Sequence, residues 1–233
     1  MKNQSNGSLF YKYAAGFFDS HTIFKDLAAE VGDQSFFITG ATGLFGIWIQ
    51  AFLKWSEDQK IADPKVQLLS REKVTSRSSK WRWIQGDICQ SPINAEPTDY
   101  VLHLAAPSAS ETYNGMNDYQ KYKILSVGVD EVLKFTSKHM RKRLLVTSSG
   151  AIYGGFDKNR SIPIGEDERL APKIMGFNDG LAVGKRAVEF LTKYYCNMGY
   201  SDASIARCFS FVGPGMPTNL HYAVGNFIKS AVS

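Results

Sequence analysis

Short apolar runs alternate along this chain with longer stretches in which apolar residues recur at helical spacing. Helical spacing covers residues 47–55, 117–139 and 184–198. Runs of strand length begin near Ser35, Val66, Trp81, Tyr100, Arg143 and Ala203. Strands that alternate with helices of this length predict an α/β fold, a doubly wound parallel sheet with helices on both faces. Ligands of such sheets bind at the carboxyl ends of the strands.

Residues 1–34 precede the first predicted strand and are expected to form a helical and aromatic extension. Its apolar positions predict a short amphipathic helix for which Asp19 or Ser20 is the expected N-cap. The apolar positions of that helix are Ile23, Phe24, Leu27, Ala28 and Val31. The aromatic residues before it are Phe10, Tyr11, Tyr13, Phe17 and Phe18. We expect the extension to cover part of the domain at 35–233, or a second subunit.

Three glycines directly follow the first predicted strand. Gly40, Gly43 and Gly46 are spaced G-x-x-G-x-x-G, and the helical stretch begins at once after them. Glycine at such places lets backbone approach a pyrophosphate closely, while the first helical turn points N–H groups and a positive dipole end at it. The same spacing also fits an ordinary turn between a strand and a helix, and only the context on both sides favours nucleotide binding.

The sequence Thr-Gly-Ala-Thr-Gly-Leu-Phe-Gly at 39–46 resembles the glycine motif of the extended short-chain dehydrogenase/reductase superfamily, whose members act on nucleotide sugars. The resemblance implies a Rossmann fold that binds NAD or NADP, and it extends from Ser35 to the last residue. Carried over residue by residue, it implies these cofactor-binding positions: Gly40, Thr42, Gly43, Leu44, Phe45, Gly46, Ser70, Arg71, Asp87, Ile88, Leu104, Ala105, Ala106, Thr147 and Lys185.

The end of the second strand discriminates between the two nicotinamide cofactors. An acidic residue there accepts hydrogen bonds from the adenosine ribose, whereas an arginine accommodates a 2′-phosphate. Ser70 and Arg71 therefore favour NADP, unless Arg71 is only a solvated loop cation. The resemblance places the adenine at Asp87 and Ile88. His103 lies inside an apolar run, so we interpret it as a core histidine and not as a general base.

Two catalytic residues follow from the resemblance. Ser149, four residues before the Tyr-Gly pair at 153–154, matches the serine that hydrogen-bonds the reacting sugar oxygen. Lys185 matches the lysine of a Tyr-x-x-x-Lys motif, in which spacing i, i+4 puts both side chains on one helical face. That lysine binds the nicotinamide ribose and lowers the pKa of the tyrosine, which moves the substrate proton.

The tyrosine position of that motif holds Leu181, and leucine cannot transfer a proton. Three interpretations remain open. The chain is an impaired or inactive relative that still binds cofactor, or it uses another acid/base such as Lys185 or a water, as dehydratases with an apolar residue there do. The third interpretation, a wrong alignment, conflicts with the register that the Gly-Lys-Arg-Ala run at 184–187 fixes.

Three further residues match positions that lead to the substrate. Arg207 and Ser210 lie in a segment similar to Arg-x-Phe-Asn-x-x-Gly-Pro, with Ser210 in place of asparagine, and Asn226 lies where the family encloses the diphosphate. Arg207 could instead pair with a carboxylate near the sheet end. Members of the extended branch continue beyond this point with most of a substrate lobe. The chain is therefore expected to be a fragment, or to have a substrate site that is open or completed by a partner.

The expected function is NAD(P)-dependent epimerisation or dehydration of a UDP-, dTDP-, CDP- or GDP-linked sugar, with transient oxidation at C4. The Ser149-Gly150-Ala151 run lacks the acidic pair of the 4,6-dehydratases and is more similar to an epimerase. The alternative is a nonenzymatic, cofactor-binding relative. The family also pairs two helices across a homodimer, one of them the Lys185 helix.

The composition of the chain argues against a membrane span, a metal site and a nucleic-acid partner. The 233 residues are 44% hydrophobic and 21% charged, and no apolar run approaches the ~20 residues of a membrane span. The three cysteines Cys89, Cys196 and Cys208 are dispersed, so we expect no metal site. The net charge of +5 is spread out, and the basic group at 138–143 has no interleaved aromatics, so no nucleic-acid partner is expected. The start of the chain does not resemble a secretory signal, and the expected location is the cytoplasm.

Overall fold

The computed structural model describes residues 2–74, 78, 80–90, 92–107, 109–154, 162–168, 179–216 and 223–232. Its strands are β1 (Ser35–Thr39), β2 (Lys65–Ser70), β3 (Arg82–Gln85), β4 (Thr98–His103), β5 (Met140–Ser149) and β6 (Ala203–Cys208). Its helices are α1 (Lys2–Asp19), α2 (Ile23–Val31), α3 (Leu44–Asp58), α4 (Ala109–Tyr113), α5 (Asp118–His139), α6 (Gly180–Asn197) and α7 (Ala223–Val232). A short 3₁₀ turn follows β5 at Gly150–Tyr153.

The six strands form one parallel sheet in the order β3-β2-β1-β4-β5-β6. The direction of the strand order reverses between β1 and β4, which leaves a crevice outside their carboxyl ends. The predicted doubly wound parallel sheet is therefore confirmed, and every predicted strand has a counterpart. The crevice is where the glycine turn leaves β1.

Successive side chains of β1 point to opposite faces of the sheet, so this strand contributes to two hydrophobic cores. Phe37 contributes to a core with Val129 and Leu133 of α5, and Val188 of α6 belongs to the same cluster. The neighbouring Phe36 and Ile38 face the other side and belong to a second cluster that includes residues of α3. Side chains two residues apart lie on the same face of a strand, so the apolar run of β1 is buried on both sides. Helices accordingly cover both faces of the sheet.

The N-terminal extension forms two helices that pack on the outside of α3. Ala14 and Phe18, four residues apart on α1, are buried with Ala28 of α2 and with Trp55 of α3. The ring of Phe18 lies tilted against that of Trp55, with 5.6 Å between the ring centroids. The extension therefore covers part of the domain, as expected from its aromatic content.

The expected N-cap of the short helix is wrong. Thr22 is the N-cap residue of α2, and its side chain makes no capping hydrogen bond. Asp19 instead ends α1, and its carboxylate accepts a hydrogen bond of 2.9 Å from the Trp55 indole. Ser20 donates to the Phe17 carbonyl at 2.8 Å. Asp19 and Ser20 therefore belong to the end of α1 and do not cap α2. The sequence analysis expected only aromatic residues at this place and did not predict α1 as a helix.

Candidate cofactor and active site

The turn between β1 and α3 depends on glycine for steric reasons. Gly40 has a φ of +67°, and a Cβ at this position would lie 2.6 Å from the Ala105 amide nitrogen. A Cβ on Gly46 would overlap the backbone of Ala41. Gly43 is the N-cap of α3, and it has no side chain with which to cap the first turn. The first N–H groups of α3 therefore face the crevice as a ready anion-binding site.

The end of β2 brings together the residues expected at the adenosine. Ser70 and Arg71 lie beside Asp87 and Ile88 in the lining of one cleft. Asp87 is also a turn aspartate, because its Oδ1 accepts a hydrogen bond of 2.9 Å from the Cys89 amide. The Arg71 guanidinium is not free: its Nη1 lies 2.5 Å from Glu111 Oε1.

The end of β4 forms the floor of the crevice. Leu104, Ala105 and Ala106 line it, and the Ala105 amide donates to the Thr39 hydroxyl at 3.3 Å. His103 lies below the floor, with Nδ1 2.8 Å from the same hydroxyl. Burial, with a smaller contribution from Lys185, lowers the pKa of His103 to about 3. The interpretation of His103 as a core histidine is confirmed, since the residue is buried and its Nδ1 has a hydrogen-bond partner.

Lys185 lies at the opposite end of the cleft, where α6 crosses the end of β5. Its ammonium donates a hydrogen bond of 2.6 Å to the Thr147 carbonyl, and the side chain is 5% exposed. Burial lowers the pKa of Lys185 to about 8. Leu181, one turn earlier on α6, lines the same cleft, as the i, i+4 spacing predicts. Ser149 also lines it, and its Oγ accepts a hydrogen bond of 3.1 Å from the Ala151 amide.

Arg207 is held in a network beside the cleft. Its guanidinium lies 3.0 and 2.9 Å from the two carboxylate oxygens of Glu189, and it donates to the Tyr153 hydroxyl at 2.7 Å. It also donates to the Glu166 carbonyl at 2.6 Å. Burial works to raise the pKa of Glu189, but hydrogen bonding and the charge of Arg207, with contributions from Ser148 and Arg186, lower it overall. The pairing of Arg207 with a carboxylate, left open by the sequence, is the arrangement found.

A single cleft of about 800 Å³ unites most of the predicted positions. It is lined by Gly40, Thr42, Gly43, Leu44, Phe45, Ser70, Arg71, Asp87, Ile88, Leu104, Ala105, Ala106, Thr147, Ser149, Lys185 and Ser210. Three predicted residues do not line it: Gly46 packs behind the turn, Arg207 lies in its network, and Asn226 is exposed on α7. Binding roles for all of them stay predictions.

Sequence reasoning missed several lining residues. Glu111, Ile124, Cys208 and Met216 line the cleft. Nothing in the sequence indicated that Glu111 would line the cleft, because its segment contains no motif. Its position depends on how the chain turns after β4. Cys208 could have been found, since it ends the strand next to Ser149 in the sheet.

Two negative findings apply to the described ranges. None of the helices there has the length and apolar content of a membrane span. Within the same ranges, no three His, Cys, Asp or Glu side chains gather as a metal site would require. The expected cytoplasmic location and the absence of a nucleic-acid partner stay predictions.

The fold and the glycine turn define the class of α/β proteins that bind a dinucleotide outside the carboxyl ends of parallel strands. Comparison with known families is more specific. The model of the NAD dependent epimerase/dehydratase family matches residues 36–233. The chain belongs to that family, and the resemblance noted from its motifs is confirmed.

Solved structures share the fold at low sequence identity. UDP-N-acetylglucosamine 4-epimerase from Methanobrevibacter ruminantium, in complex with UDP-N-acetylmuramic acid, is 22% identical with a TM-score of 0.66, covering 86% of this chain and 63% of its own. The dTDP-glucose 4,6-dehydratase DesIV from Streptomyces venezuelae, with NAD bound, is 19% identical with a TM-score of 0.69, covering 85% and 62%. RMD from Pseudomonas aeruginosa, complexed with NADPH, is 22% identical with a TM-score of 0.57, covering 80% and 57%.

An uncharacterized protein of Methanocaldococcus jannaschii is 23% identical over 176 residues, which are 70% of this chain and 52% of that protein. The chain thus spans about half the length of this curated relative and less than two thirds of the solved structures.

Proposed function

We propose that this chain carries the cofactor site of an NAD(P)-dependent enzyme that transiently oxidises a nucleotide sugar at C4. The observation that carries the proposal is the placement of the glycine turn, Ser149 and Lys185 around one cleft, in a chain of the epimerase/dehydratase family. When bound, the nicotinamide supplies hydride acceptance and return. The substrate class is a UDP-, dTDP-, CDP- or GDP-linked sugar, supported by relatives whose structures hold UDP- or dTDP-linked ligands or bear such names.

The lining of the cleft supports a dinucleotide that extends from the adenosine end at Asp87 to Lys185. The glycine turn and the first turn of α3 would hold the pyrophosphate, while Asp87 and Ile88 would meet the adenosine. Lys185 would bind the nicotinamide ribose. Solved relatives hold NAD or NADPH, so this part of the proposal covers both cofactors. A preference for NADP would require the Arg71 guanidinium to meet the 2′-phosphate, and in the structure that guanidinium contacts Glu111.

Ser149 is the residue proposed to contact the reacting sugar oxygen. Its Oγ accepts the Ala151 N–H, so its own proton is available to donate to that oxygen. The next position supports an epimerase over a 4,6-dehydratase. A Cβ on Gly150 would overlap the Phe209 ring, so an acidic side chain at that position would require the ring to move.

Lys185 is the proposed proton carrier in place of the missing tyrosine. No tyrosine is among the described residues that line the cleft, and Tyr153 directs its hydroxyl to Arg207. With a pKa of about 8, Lys185 is partly neutral near physiological pH and can accept and return a proton at Nζ. The substrate oxygen would have to approach between Ser149 and Lys185.

A second candidate function is favoured by Leu181. Its side chain fills the position from which the family's tyrosine would act, and it is 40% exposed in the cleft. A chain with this residue and an intact cofactor cradle is also what a catalytically impaired, cofactor-binding relative would look like. In that case the cleft binds NAD(P) and turns over no sugar.

We also propose a homodimer formed through α5 and α6. These helices pack against each other so closely that a Cβ on Gly184 would lie 2.7 Å from Leu125. Their outer surface exposes large aromatic side chains, among them Tyr119 on α5 and Phe190 and Tyr194 on α6. Burial of this surface in a four-helix contact would remove an apolar patch from water. A strictly monomeric species in sedimentation would contradict it.

The test is calorimetric titration with NAD⁺ and NADP⁺, combined with turnover assays on UDP-, dTDP-, CDP- and GDP-sugars. The assays compare the parent chain with Leu181→Tyr, Lys185→Ala and the exposed Lys193→Ala as a control on the same helix. Turnover by the parent that is lost in Lys185→Ala and kept in Lys193→Ala supports proton transfer at Lys185. Turnover only in Leu181→Tyr supports the impaired relative. Binding of neither cofactor would contradict the proposed function in both forms.

A further inference from the structure

One end of the cleft contains an ion pair that joins two separate segments of the chain. Arg71 follows β2, and Glu111 lies in α4, 40 residues later in the chain. Their closest atoms, Nη1 and Oε1, are 2.5 Å apart, and both residues line the cleft beside Ser70 and Asp87. The pair therefore lies at the end of the cleft where the adenosine ribose is expected.

Among the described residues, the charged groups that shift the pKa of Arg71 are carboxylates. The hydrogen bond that Arg71 donates to Glu111 is the main reason that the pKa of Arg71 is raised, and the charges of Asp87 and Glu72 add to it. The charged residues among the described lining are Arg71, Asp87, Glu111 and Lys185. Since Lys185 binds the Thr147 carbonyl at the other end, the adenosine end of this lining has one cation against two carboxylates.

This charge arrangement affects NAD and NADP differently. The 2′-phosphate of NADP carries negative charge and needs guanidinium donors, and the donor nearest Glu111 is already engaged. A phosphate docked on the same guanidinium would lie within a few ångströms of the Glu111 carboxylate and would be repelled by it. The ribose hydroxyl of NAD carries no charge and meets no such repulsion.

We propose that Glu111 determines the choice of cofactor, by engaging Arg71 so that the site favours NAD over NADP. The inference rests on the proposed function only in that a dinucleotide must bind the cleft. Arg71 alone would favour the phosphate, and Glu111 cancels that preference. Cofactor selection in this chain is thus set by a residue outside the strand that usually decides it.

The experiment measures dissociation constants for NAD⁺ and NADP⁺ by calorimetry in the parent and in Glu111→Gln. Glutamine keeps the size and one acceptor oxygen but removes the charge. We expect the parent to bind NAD⁺ more tightly, and the variant to bind NADP⁺ about tenfold more tightly than the parent does, with NAD⁺ changed less than about twofold. The gain for NADP⁺ should shrink at high salt, since exposed charges are screened.

Two control variants make the result specific. Glu96→Gln removes the carboxylate of another exposed arginine pair, with Arg82, outside the cleft lining, and should change neither constant. Adding Arg71→Gln to Glu111→Gln should abolish the gain for NADP⁺, because the guanidinium is the proposed receptor. Thermal melts of each variant check that the fold is kept.

The outcomes separate the inference from the proposed function. An unchanged ratio of the two constants in Glu111→Gln, or an equal gain for both cofactors, would overturn the role of Glu111 while leaving dinucleotide binding in place. A parent that already prefers NADP⁺ would also overturn it. A folded parent and a folded variant that bind neither cofactor would contradict the proposed function itself, and the inference with it.

Discussion

The burial of Lys185 makes a prediction about stability that is independent of any substrate. Its pKa is lowered from 10.5 to about 8 because the ammonium loses its hydration in the folded state. Below pH 8 both folded and unfolded chains carry the proton, and the folded state bears the full cost of burying it. Between pH 8 and 10.5 the folded state releases the proton and the unfolded state keeps it, so the free energy of unfolding rises with pH.

The size of this effect follows from the shift. A difference of about 2.5 pKa units corresponds to about 3 kcal/mol of differential interaction, at ~1.36 kcal/mol per unit. In Lys185→Met the stem is kept and the titrating group is gone. The loss of the hydrogen bond to Thr147 adds an offset to the variant at every pH. The pH-dependent part therefore appears in the difference between parent and variant.

The assay is urea denaturation of both proteins, without cofactor, from about pH 7 to about pH 10.5. The parent should gain about 3 kcal/mol relative to Lys185→Met over this range. Lys193→Met, an exposed change on the same helix, should follow the parent profile throughout. A difference between parent and Lys185→Met that stays constant with pH would refute the burial of a charged lysine in this cleft.

Three further predictions, made with five substitutions, concern the glycine turn, the N-terminal extension and the Arg207 network. Gly40→Ala should lower the free energy of unfolding by about 3 kcal/mol, because φ is positive and the Cβ meets the end of β4, whereas Gly43→Ala should cost less than about 1 kcal/mol in urea melts yet weaken NAD(P)⁺ binding. Phe18→Ala should cost about 3 kcal/mol and the half-exposed Phe17→Ala about 1 kcal/mol; equal effects would contradict the docking of α1. Arg207→Ala should cost about 2 kcal/mol by leaving the carboxylate on α6 unpaired, and an unchanged melt would show that the network adds nothing.

The fold was predictable because its signals are local. An apolar run such as β1 is buried on both faces, and its length and flanking glycines distinguish it from a helix. The glycine turn was predictable for a similar reason, since Gly46 is required by its contact with Ala41 inside the turn and Gly40 by its positive φ. The helix α1 was missed because its first residues are polar, although Phe10, Ala14 and Phe18 recur at spacing four.

The rest of the site depends on contacts between distant segments. The pairing of Arg71 with Glu111 spans 40 residues and passes through a segment without motifs. Arg207 matched a family position, but its partner Glu189 is set by the way α6 crosses β6. No local pattern reports which carboxylate a guanidinium will meet, so sequence reasoning could place these cations and not their partners.

Leu181 and Lys185 together argue that the cleft still serves a ligand. A buried lysine costs stability at neutral pH, and a methionine of similar length would remove that cost and keep much of the apolar contact. The lysine nevertheless points its ammonium to the Thr147 carbonyl, at the end of the strand that also carries Ser149. In the proposed function, Leu181 removes only the tyrosine's proton transfer, whereas the proposed binding of the cofactor ribose needs only Lys185. We infer that the destabilising charge of Lys185 is kept for the proposed ligand binding, whether or not the chain also moves a substrate proton.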